Sequence, residues 1–319
     1  MTQPSVNTSA ATSRAVQFES FGGPHALSLR EVPVPHAGSG QIRVRVTAAG
    51  LNPMDWFMTS DAETAARFGL SLPCGFGTDY AGVVDEVGDG VSAFVVGDRV
   101  FGGALSRAVA DYVVVDETGT IAVGGVAHHT PDGVDDRTAA TLSIAGSTAA
   151  AALGVVNLGP GDTVLIGGAG GGVGVFVVQL AGLAGARVIG TGSATSAGAL
   201  RALGVEPVAY GDGLVSRVRA LAPAGVTAVM DLHGTDTAQA ARELGVPDER
   251  ITTIAAQVDG ITPANGANAA PGAIEEIAGL VAAGRLRVPI AASFPVEQIR
   301  AAVELQAGRH VHGKVVIDL

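Results

Sequence analysis

The sequence predicts an α/β protein in which a doubly wound parallel sheet is joined to a second, mostly antiparallel β unit. Over roughly the first 120 residues, short β-branched and alternating apolar runs are separated by glycine-containing turns, which is typical of antiparallel strands. From residue 135 onward, short apolar runs alternate with alanine-rich and helical patterns. That alternation favours parallel strands with helices on both faces of the sheet.

Composition sets the broad class of protein. The chain has 319 residues, 47% of them hydrophobic, and a mean hydropathy of +0.39, so it has room for two domains with buried cores. Its formal charge of −11 and pI near 5.0 argue against nucleic acid and anionic membrane surfaces as partners, because no basic stripe is available to neutralise phosphates. A single cysteine, Cys74, excludes an intrachain disulfide and any multi-cysteine zinc site.

The N-terminal segment, residues 1–13, is polar and rich in Ser, Thr and Ala. It lacks the basic and apolar regions of a signal peptide, and the lone cysteine fits a reducing compartment. We therefore expect a disordered leader on a cytoplasmic protein.

An antiparallel unit is expected in the first part of the chain. Strict period-two alternation over 41–49 (QIRVRVTAA) predicts one strand, and the runs at 15–19 and 27–32 should pair as a hairpin. Further strands are predicted at 81–87, 99–101 and 110–115.

The chain is organised around a glycine-rich turn within 163–174, TVLIGGAGGGVG. A short buried strand precedes the turn and apolar residues at helical spacing follow it, so the turn joins a strand to a helix. Backbone N–H groups and the positive end of the helix dipole then face one point and form an anion site. The spacing Ala169-x-Gly171-x-x-Gly174 is the dinucleotide fingerprint with alanine in its first place. The residues expected to hold a pyrophosphate are Ala169, Gly171, Gly172, Val173 and Gly174.

Two alternatives to a bound dinucleotide remain open at this point. The turn could serve only for close packing of a helix on a strand. The uncharged segment 163–186 is also long enough to span a bilayer, although its glycine cluster and Gln179 make the first half a poor helix. A second strand follows at 187–192, at the distance that a βαβ unit requires, and it favours the dinucleotide.

Further elements complete the doubly wound pattern. Parallel strands are predicted at 163–167, 187–191, 207–209, 226–231 and 251–255, with a helix at 197–203. After the polar loop at 264–272, the pattern predicts a helix at 273–283, a strand at 287–294, a helix at 296–307 and a strand at 314–319.

Several motifs, in this order, resemble those of one family. The segments GTDYAGVV at 77–84 and GDRVF at 97–101 are similar to the GxDxAGxVxxVG and GDRVF signature of medium-chain dehydrogenases/reductases. The segments AGLNPMD at 49–55, AGSTA at 145–149 and GKVV at 313–316 match the quinone oxidoreductase-like branch of that family in order and spacing.

The resemblance implies a domain organisation. A Rossmann dinucleotide-binding domain is expected over 138–262. A GroES-like catalytic domain is expected to be split in sequence into 14–137 and a return at 263–319. The nicotinamide is then expected in the cleft between the two domains.

The resemblance also implies chemistry without zinc. The zinc-using branch carries Cys, His and Cys at the positions that correspond to Asn52, Thr78 and approximately Ile144, and the four-cysteine structural lobe of that branch is absent here. None of these residues can replace a thiolate or an imidazole at zinc, so no metal site is expected. Without a Lewis acid, hydride transfer to an electron-poor acceptor, such as a quinone or an α,β-unsaturated carbonyl, is the easier chemistry.

Cofactor preference is expected to depend on the end of the second parallel strand. An NAD-preferring domain usually has an acid there, whereas GTGSATS at 190–196 contains none. Ser193 and Tyr210 match family positions that contact the ribose phosphate, and Thr195 stands where relatives carry a basic residue. We therefore expect NADPH, bound with lower affinity because one charge-assisted hydrogen bond is missing. Tyr210 could equally be a packed surface aromatic.

Candidate catalytic residues are few. Family members often carry a tyrosine at the place of Phe57, so the usual phenolic proton donor is missing. Tyr80 could substitute for it, unless it is a core residue of its strand. Asn52 is expected beside the nicotinamide, or else it orders its own loop. Asp55 and Asp79 could form a general acid pair, although structural caps are favoured.

Three further residues are expected near the cofactor. Thr148 matches a family threonine near the nicotinamide ring, with a helix-start cap as the alternative. Ile254 belongs to the fifth predicted parallel strand, and Lys314 could reach the cofactor or merely cap the last strand. The histidines lack metal-ligand spacing and are interpreted as structural, although His233 could face the cleft.

The favoured function is an NADPH-dependent oxidoreductase that passes hydride to a small-molecule quinone or enone. A non-catalytic NADPH-binding sensor or scaffold of the same fold is the main alternative, because the usual proton donor is absent. An S-adenosylmethionine-dependent methyltransferase is disfavoured, since it would normally have an acid at the end of the second strand. The resemblance implies a homodimer, because members of the family often join their Rossmann sheets through the edge near 251–255, and an exposed edge strand of this apolar character needs covering.

Overall fold

The computed structural model describes residues 11–319 and confirms the predicted fold class. Within these residues the strands form a six-stranded parallel sheet, a seven-stranded mixed sheet and a three-stranded antiparallel sheet. The expected leader lies outside the described residues over 1–10. Thr12 and Ser13, which were assigned to that leader, instead begin the first strand.

The strands in chain order are β1 (Thr12–Phe18), β2 (Leu27–Pro33), β3 (Gln41–Leu51), β4 (Cys74–Gly75), β5 (Asp79–Val87), β6 (Arg99–Gly103), β7 (Tyr112–Asp116), β8 (Val126–His129), β9 (Thr163–Gly167), β10 (Arg187–Gly192), β11 (Glu206–Ala209), β12 (Ala228–Asp231), β13 (Ile251–Thr253), β14 (Thr262–Pro263), β15 (Ile290–Pro295) and β16 (Lys314–Asp318). The helices are α1 (Pro53–Phe57), α2 (Ala62–Arg67), α3 (Asp136–Ala139), α4 (Ser143–Val156), α5 (Gly174–Leu183), α6 (Ala197–Ala202), α7 (Leu214–Leu221), α8 (Asp236–Glu243), α9 (Ala273–Ala282) and α10 (Ile299–Ala307).

The N-terminal part is built around β3. This strand pairs antiparallel with β5 on one side and with β7 and β16 on the other. Its alternation buries Ile42, Val44 and Val46, because successive side chains of a strand point to opposite faces. The predicted hairpin also forms, with β1 and β2 paired antiparallel over their whole length.

Three short strands escaped the sequence analysis. β4 and β14 have two residues each, and β8 ends in the polar pair His128 and His129. A strand this short shows no period, and histidines do not continue an apolar alternation.

The parallel sheet has the order β11-β10-β9-β12-β13-β14. The predicted strand β9 is buried on both faces: Val164 and Ile166 belong to one core with Phe176 of α5, and Leu165 belongs to another with Val218 of α7. Helices therefore cover both faces of the sheet, which explains why β9 is a continuous apolar run.

The C-terminal segment returns to the first sheet, but later than expected. β16 pairs antiparallel with β3, and β15 pairs with β16. Before that return, β14 closes the parallel sheet, and Ile274 and Ile277 of α9 pack against α4 opposite Gly146. The boundary expected at residue 263 therefore falls inside the parallel unit, because the polar loop at 264–272 joins two of its own elements.

The expected edge strand is not at the edge. β13 ends at Thr253, and β14 pairs with it in parallel through Thr252 and Thr262. The expectation of an exposed apolar edge at 251–255 is wrong because β14 covers β13. The actual edge is only two residues long and includes Pro263, which suits an unpaired position. The homodimer stays a prediction, without the argument from β13.

The segment that is long enough to span a bilayer, 163–186, forms β9, the glycine turn and the ten-residue helix α5. Across residues 11–319, no helix combines the length and the apolar character that a membrane crossing requires.

Gly190 makes room for the alanine in the first place of the fingerprint. Gly190 lies in β10, next to β9. A Cβ on Gly190 would come within 2.7 Å of the Ala169 Cβ and 2.6 Å of Val205 Cγ1. The methyl group of Ala169 is therefore tolerated because residue 190 carries none.

Gly190→Ala should lower the free energy of unfolding by about 1–3 kcal/mol, because overpacking a dense core costs roughly that much. Adding Ala169→Gly should recover part of the loss, since it removes one of the two crowding groups, so the two effects should be non-additive. Urea unfolding of the parent, both single variants and the double variant measures this.

The control is Gly198→Ala on the exposed surface of α6, where nothing outside the helix lies within 4 Å of the added methyl group. This variant should be neutral or stabilising, because alanine is the better helix former. Strictly additive effects of the substitutions at 169 and 190 would contradict the contact.

Candidate functional site

The ends of the parallel strands bring the predicted cofactor residues to one edge of the sheet. The glycine turn follows β9. The register places Ser193, just after β10, beside Tyr210, just after β11. Ile254 follows β13, and its N–H donates to the carbonyl oxygen of Asp231 at the end of β12 (3.2 Å). Ligands of doubly wound sheets bind at this carboxyl edge.

Two glycines of the turn have opposite surroundings. A Cβ on Gly174 would lie 2.3 Å from the Gly168 carbonyl oxygen and 2.5 Å from that of Ala169, so only glycine lets α5 begin this close to β9. A Cβ on Gly171 would meet nothing nearer than the Gly168 oxygen at 3.3 Å. The turn is therefore packed at the third fingerprint position and open at the second, as close approach of a pyrophosphate to the backbone requires.

The C-terminal segment runs against the same turn. The N–H of Gly313 donates to the carbonyl oxygen of Gly170 (2.9 Å). A Cβ on Gly170 would lie 2.8 Å from Nδ1 of His312, and one on Gly172 would lie 3.2 Å from Cδ of Lys314. The glycines of the turn thus leave room for the residues that lead into β16, and this contact joins the two large sheets.

Lys314 is the one lysine of the sequence, and only 3% of it is exposed. Its Nζ donates to Oδ1 of Asn52 at 2.6 Å and lies 3.7 Å from Oδ2 of Asp79. Nδ2 of Asn52 donates to the same oxygen of Asp79 at 2.9 Å. An ammonium, which only donates, and a carboxylate, which only accepts, together orient the amide of Asn52.

A second buried carboxylate, that of Asp55, lies beside Lys314, Asn52 and Asp79. These four residues form the buried ionic cluster of the site. Oδ1 of Asp55 accepts from the hydroxyl of Thr78, and its Oδ2 accepts from the N–H of Asn52, both at 2.7 Å. Oδ1 of Asp79 accepts from the N–H of Ile144 at the start of α4 (3.0 Å). Each carboxylate oxygen therefore accepts a hydrogen bond. Asp55 has the capping role that the sequence favours, and it also belongs to the ionic cluster.

Burial changes the titration of these groups. Loss of solvation raises the pKa of Asp55 to about 7 and the pKa of Asp79 to about 6, while their hydrogen bonds and the charge of Lys314 act in the opposite direction. Burial lowers the pKa of Lys314. The cluster therefore exchanges protons closer to neutrality than exposed carboxylates do.

The three positions that resemble metal ligands of zinc-using relatives meet at this cluster. Asn52 and Thr78 donate through their side chains, and Ile144 through its backbone, to the two carboxylates. They offer an amide, a hydroxyl and an aliphatic group. In the part of the chain that the structure describes, no group of three or more His, Cys, Asp or Glu side chains is placed to hold a metal ion.

Tyr80 does not face the cleft. Its side chain is fully buried in the antiparallel core with Val84 and Val100, and its hydroxyl donates to the carbonyl oxygen of Val126 (2.9 Å). Burial also raises its pKa, which makes release of a proton harder. The structure therefore contradicts the expectation that Tyr80 is catalytic and supports the core interpretation.

Thr148 lies in the second turn of α4, so it does not cap the start of that helix. Its hydroxyl donates to the carbonyl oxygen of Ile144 (2.7 Å). A Cβ on Gly266 would lie 3.1 Å from that hydroxyl, so the loop after β14 lies over Thr148. Its contact with a nicotinamide stays a prediction.

Hydroxyl groups at the end of β10 bond to one another. Oγ of Ser193 lies 2.8 Å from Oγ1 of Thr195 and 3.2 Å from Oγ of Ser196. Tyr210 is 63% exposed on the neighbouring strand end. These groups are neutral, as the sequence predicts; Ser196 is buried, whereas Thr195 and Tyr210 are exposed. Their contact with a 2′-phosphate stays a prediction.

Sequence reasoning missed two basic side chains at this edge. Arg217 of α7 donates to the backbone carbonyls of residues 209–212 and thereby holds the loop that carries Tyr210. His312 lies beside Gly170. Neither residue belongs to a motif with a fixed spacing, so only the fold brings them to the site.

Position 57, where family members often carry a tyrosine, has an apolar side chain. Phe57 is 39% exposed and stacks on Trp56, with ring centroids 4.1 Å apart. The guanidinium of Arg309 lies over both rings, 5.6 Å and 6.0 Å from their centroids. This aromatic pair has no acidic hydroxyl to donate.

Lys314→Met should lower the free energy of unfolding by about 3–5 kcal/mol near pH 8, because it leaves two buried carboxylates without their cation. A carboxyl group with a raised pKa binds its proton more tightly in the folded chain, so its contribution to stability falls as pH rises from about 4 to the raised value. The loss should therefore be smaller near pH 5, where the carboxyl groups of the variant can take up protons. Urea unfolding at both pH values measures the difference.

The control is Arg137→Met, which breaks the exposed ion pair of Arg137 with Asp318, where the arginine side chain is 55% exposed. An exposed pair contributes about 0–1 kcal/mol, so this variant should lose little at either pH. An equal loss at both pH values in Lys314→Met would contradict the link between Lys314 and the carboxylates.

Comparisons with known proteins match both parts of the chain. Residues 38–131 match the family described as alcohol dehydrogenase GroES-like domain, and residues 203–317 match the family described as zinc-binding dehydrogenase. The quinone oxidoreductase of Rattus norvegicus is 36% identical over 181 residues, which are 56% of this chain and 52% of that protein. The chain thus spans about half the length of the curated relatives it matches.

Solved structures extend the likeness over nearly the whole chain. The quinone oxidoreductase from Coxiella burnetii is 29% identical with a TM-score of 0.86, covering 97% of this chain and all of that one. The Escherichia coli quinone oxidoreductase complexed with NADPH has a TM-score of 0.84 at 24% identity, covering 96% of this chain and all of that one, a likeness that shows the fold. With both domains matched in order, the chain belongs to the medium-chain dehydrogenase/reductase family, in its quinone oxidoreductase-like branch.

Proposed function

We propose that this chain is an NADPH-dependent oxidoreductase that passes hydride to a quinone or to an α,β-unsaturated carbonyl compound. The observation that carries the proposal is the contact between the open glycine turn and the buried ionic cluster, which are joined through Gly313 and Lys314. A dinucleotide site next to the buried ionic cluster, whose carboxylates can take up protons, is suited to hydride transfer. The names of the relatives and the NADPH complex of a protein with the same fold support it.

The residues of the site fit a dinucleotide. Backbone N–H groups of Gly172, Val173 and the start of α5 would hold the pyrophosphate, because the face at Gly171 is open and a helix N-terminus favours an anion. Ser193 and Tyr210 would flank the 2′-phosphate. When bound, the nicotinamide supplies the hydride.

The ionic cluster would keep the floor of the cleft rigid. The amide of Asn52 is bonded on both sides, so it cannot rotate toward a different partner without breaking a buried hydrogen bond. We assign the proton that accompanies the hydride to water, because Tyr80 is in the core and Phe57 has no acidic group.

The reaction is proposed to proceed without zinc. One matching family is described as zinc-binding dehydrogenase, yet the side chains of Asn52, Thr78 and Ile144 include neither thiolate nor imidazole, the ligands that a catalytic zinc site of this kind uses. Without a Lewis acid to polarise a carbonyl group, the acceptor must already be electron-poor. Quinones and enones meet that condition, whereas simple alcohols and aldehydes do not.

Oxidation of NADPH tests the proposal. The protein with NADPH and benzoquinone, or with a panel of enones, should remove the near-ultraviolet absorbance of the dihydronicotinamide at a rate proportional to protein concentration. Gly171→Asp should abolish this turnover and most NADPH binding, because it places a carboxylate where the pyrophosphate approaches. The fold should survive, since the added Cβ meets only the Gly168 carbonyl oxygen, at 3.3 Å.

Gly198→Ala is the matched control for a glycine substitution on the same domain and should retain turnover. Parent-like NADPH affinity in Gly171→Asp, with the fold intact, would show that this turn is not the phosphate site. Tight NADPH binding by the parent without turnover of any quinone or enone would instead favour the non-catalytic sensor, which the missing phenol at Phe57 keeps as the second candidate.

Cofactor preference is proposed to depend on the hydroxyl cluster after β10. Thr195→Arg should tighten NADPH binding by roughly tenfold and leave NADH nearly unchanged, because a bond to a charged group contributes about 1.5–3 kcal/mol and about 1.4 kcal/mol is one decade in affinity. Thr195 is exposed, so the longer side chain has room. Ser193→Asp should weaken NADPH and favour NADH, since it repels the 2′-phosphate and accepts from free ribose hydroxyls.

Fluorescence titration of both nucleotides at fixed ionic strength measures these affinities. Val123→Arg adds the same charge at an exposed position of the antiparallel domain, and it should change neither affinity. If the arginine variant at 195 gains nothing for NADPH and the aspartate variant at 193 loses nothing, this loop does not face the adenosine ribose.

A further inference from the structure

The candidate pyrophosphate site lies in an acidic protein with few cations to spare. The chain carries a formal charge of −11, and residues 168–172 have no charged side chain. The ammonium of Lys314 is bonded to Asn52 below the turn. The guanidinium of Arg217 is bonded to backbone carbonyls. A dinucleotide brings several negative charges, so a further cationic donor at the turn would strengthen binding.

His312 is the basic side chain that the fold places at the turn itself. It is exposed, and its Nδ1 lies 2.8 Å from the position that a Cβ on Gly170 would occupy, so glycine at residue 170 lets the ring lie against the turn without shifting. The hydrogen bond from Gly313 to the Gly170 carbonyl oxygen holds the segment in place. The open face of Gly171 is one residue further along the turn.

We propose that His312 is an anion-binding side chain of the glycine turn and contacts the pyrophosphate that NADPH and NADH share. This inference rests on the proposed dinucleotide function. Histidine side chains gain a proton between about pH 8 and pH 5, so the affinity for both nucleotides should rise as pH falls. His312 differs in this from Ser193 and Thr195, whose proposed partner is the 2′-phosphate of NADPH alone.

Other titratable groups border the turn, and the test must separate their effect on affinity from that of His312. His233 lies on the opposite side, with its Cβ 3.2 Å from the position of a Cβ on Gly168. The carboxylate of Asp231 is buried and accepts from four backbone N–H groups. On the segment of His312 itself, Arg309 lies over two aromatic rings and His310 is exposed.

Titrations of NADPH and of NADH near pH 6.5 and pH 8, at fixed ionic strength, test the proposal. For the parent, both dissociation constants should fall by roughly three- to tenfold at the lower pH, as expected for a charge-assisted bond in a partly exposed site. His312→Gln keeps a hydrogen-bond donor but cannot be protonated, so it should remove most of that gain for both nucleotides. NADH has no 2′-phosphate, so its titration is free of protonation at that group.

His310→Gln is the matched control, two residues away in the same exposed segment, and should keep the full gain. His233→Gln measures what the other side of the turn contributes. A gain that persists in His312→Gln overturns the proposal. A loss confined to NADPH also overturns it, because the contact would then be with the 2′-phosphate. A parent that binds neither nucleotide overturns the proposed function, and this inference with it.

Discussion

The hydrogen bond from Nζ of Lys314 to Oδ1 of Asn52 joins residues 262 positions apart in the sequence, and the architecture of the site depends on it. A buried ammonium is costly to desolvate, so it is stable only where geometry and partners are both favourable. Asp79 and Asp55 supply the charge, and their own donors come from the loop before β5 and from the start of α4. One cation therefore ties together the ends of β3, β5 and β16 beside the start of α4.

Close backbone approach is the second constraint on this structure. The segment that leads into β16 lies against the glycine turn, where Cβ atoms on Gly170 and Gly172 would crowd the side chains of His312 and Lys314. Ala169 in turn fits only because Gly190 faces it. The residues of the turn are thus constrained by the segments packed against it as well as by the fingerprint spacing. The face of the turn at Gly171 is the one that no other segment covers closely.

The electrostatics of the two halves of the site differ in kind. The floor combines two carboxylates with one ammonium, out of water, where charges interact strongly. The side of the site proposed to bind the phosphates has neutral hydroxyls at Ser193 and Thr195 and an exposed histidine, where water screens charges. Substitutions in the buried ionic cluster are therefore expected to act mainly on stability and proton uptake. Substitutions at the hydroxyl groups and at His312 are expected to act on affinity and cofactor choice.

The sequence by itself determined the fold class, most strands and helices, and the glycine turn, because these follow from local periodicity and from fixed spacings such as Ala169-x-Gly171-x-x-Gly174. It also singled out Asn52, Asp79 and Lys314 as separate candidates. Only the tertiary structure decided that these three form one cluster, that Tyr80 lies in the core, that β14 covers β13, and that His312 borders the turn. The physical reason is that burial and pairing between distant segments depend on how whole sheets pack, and no local pattern of residues records that.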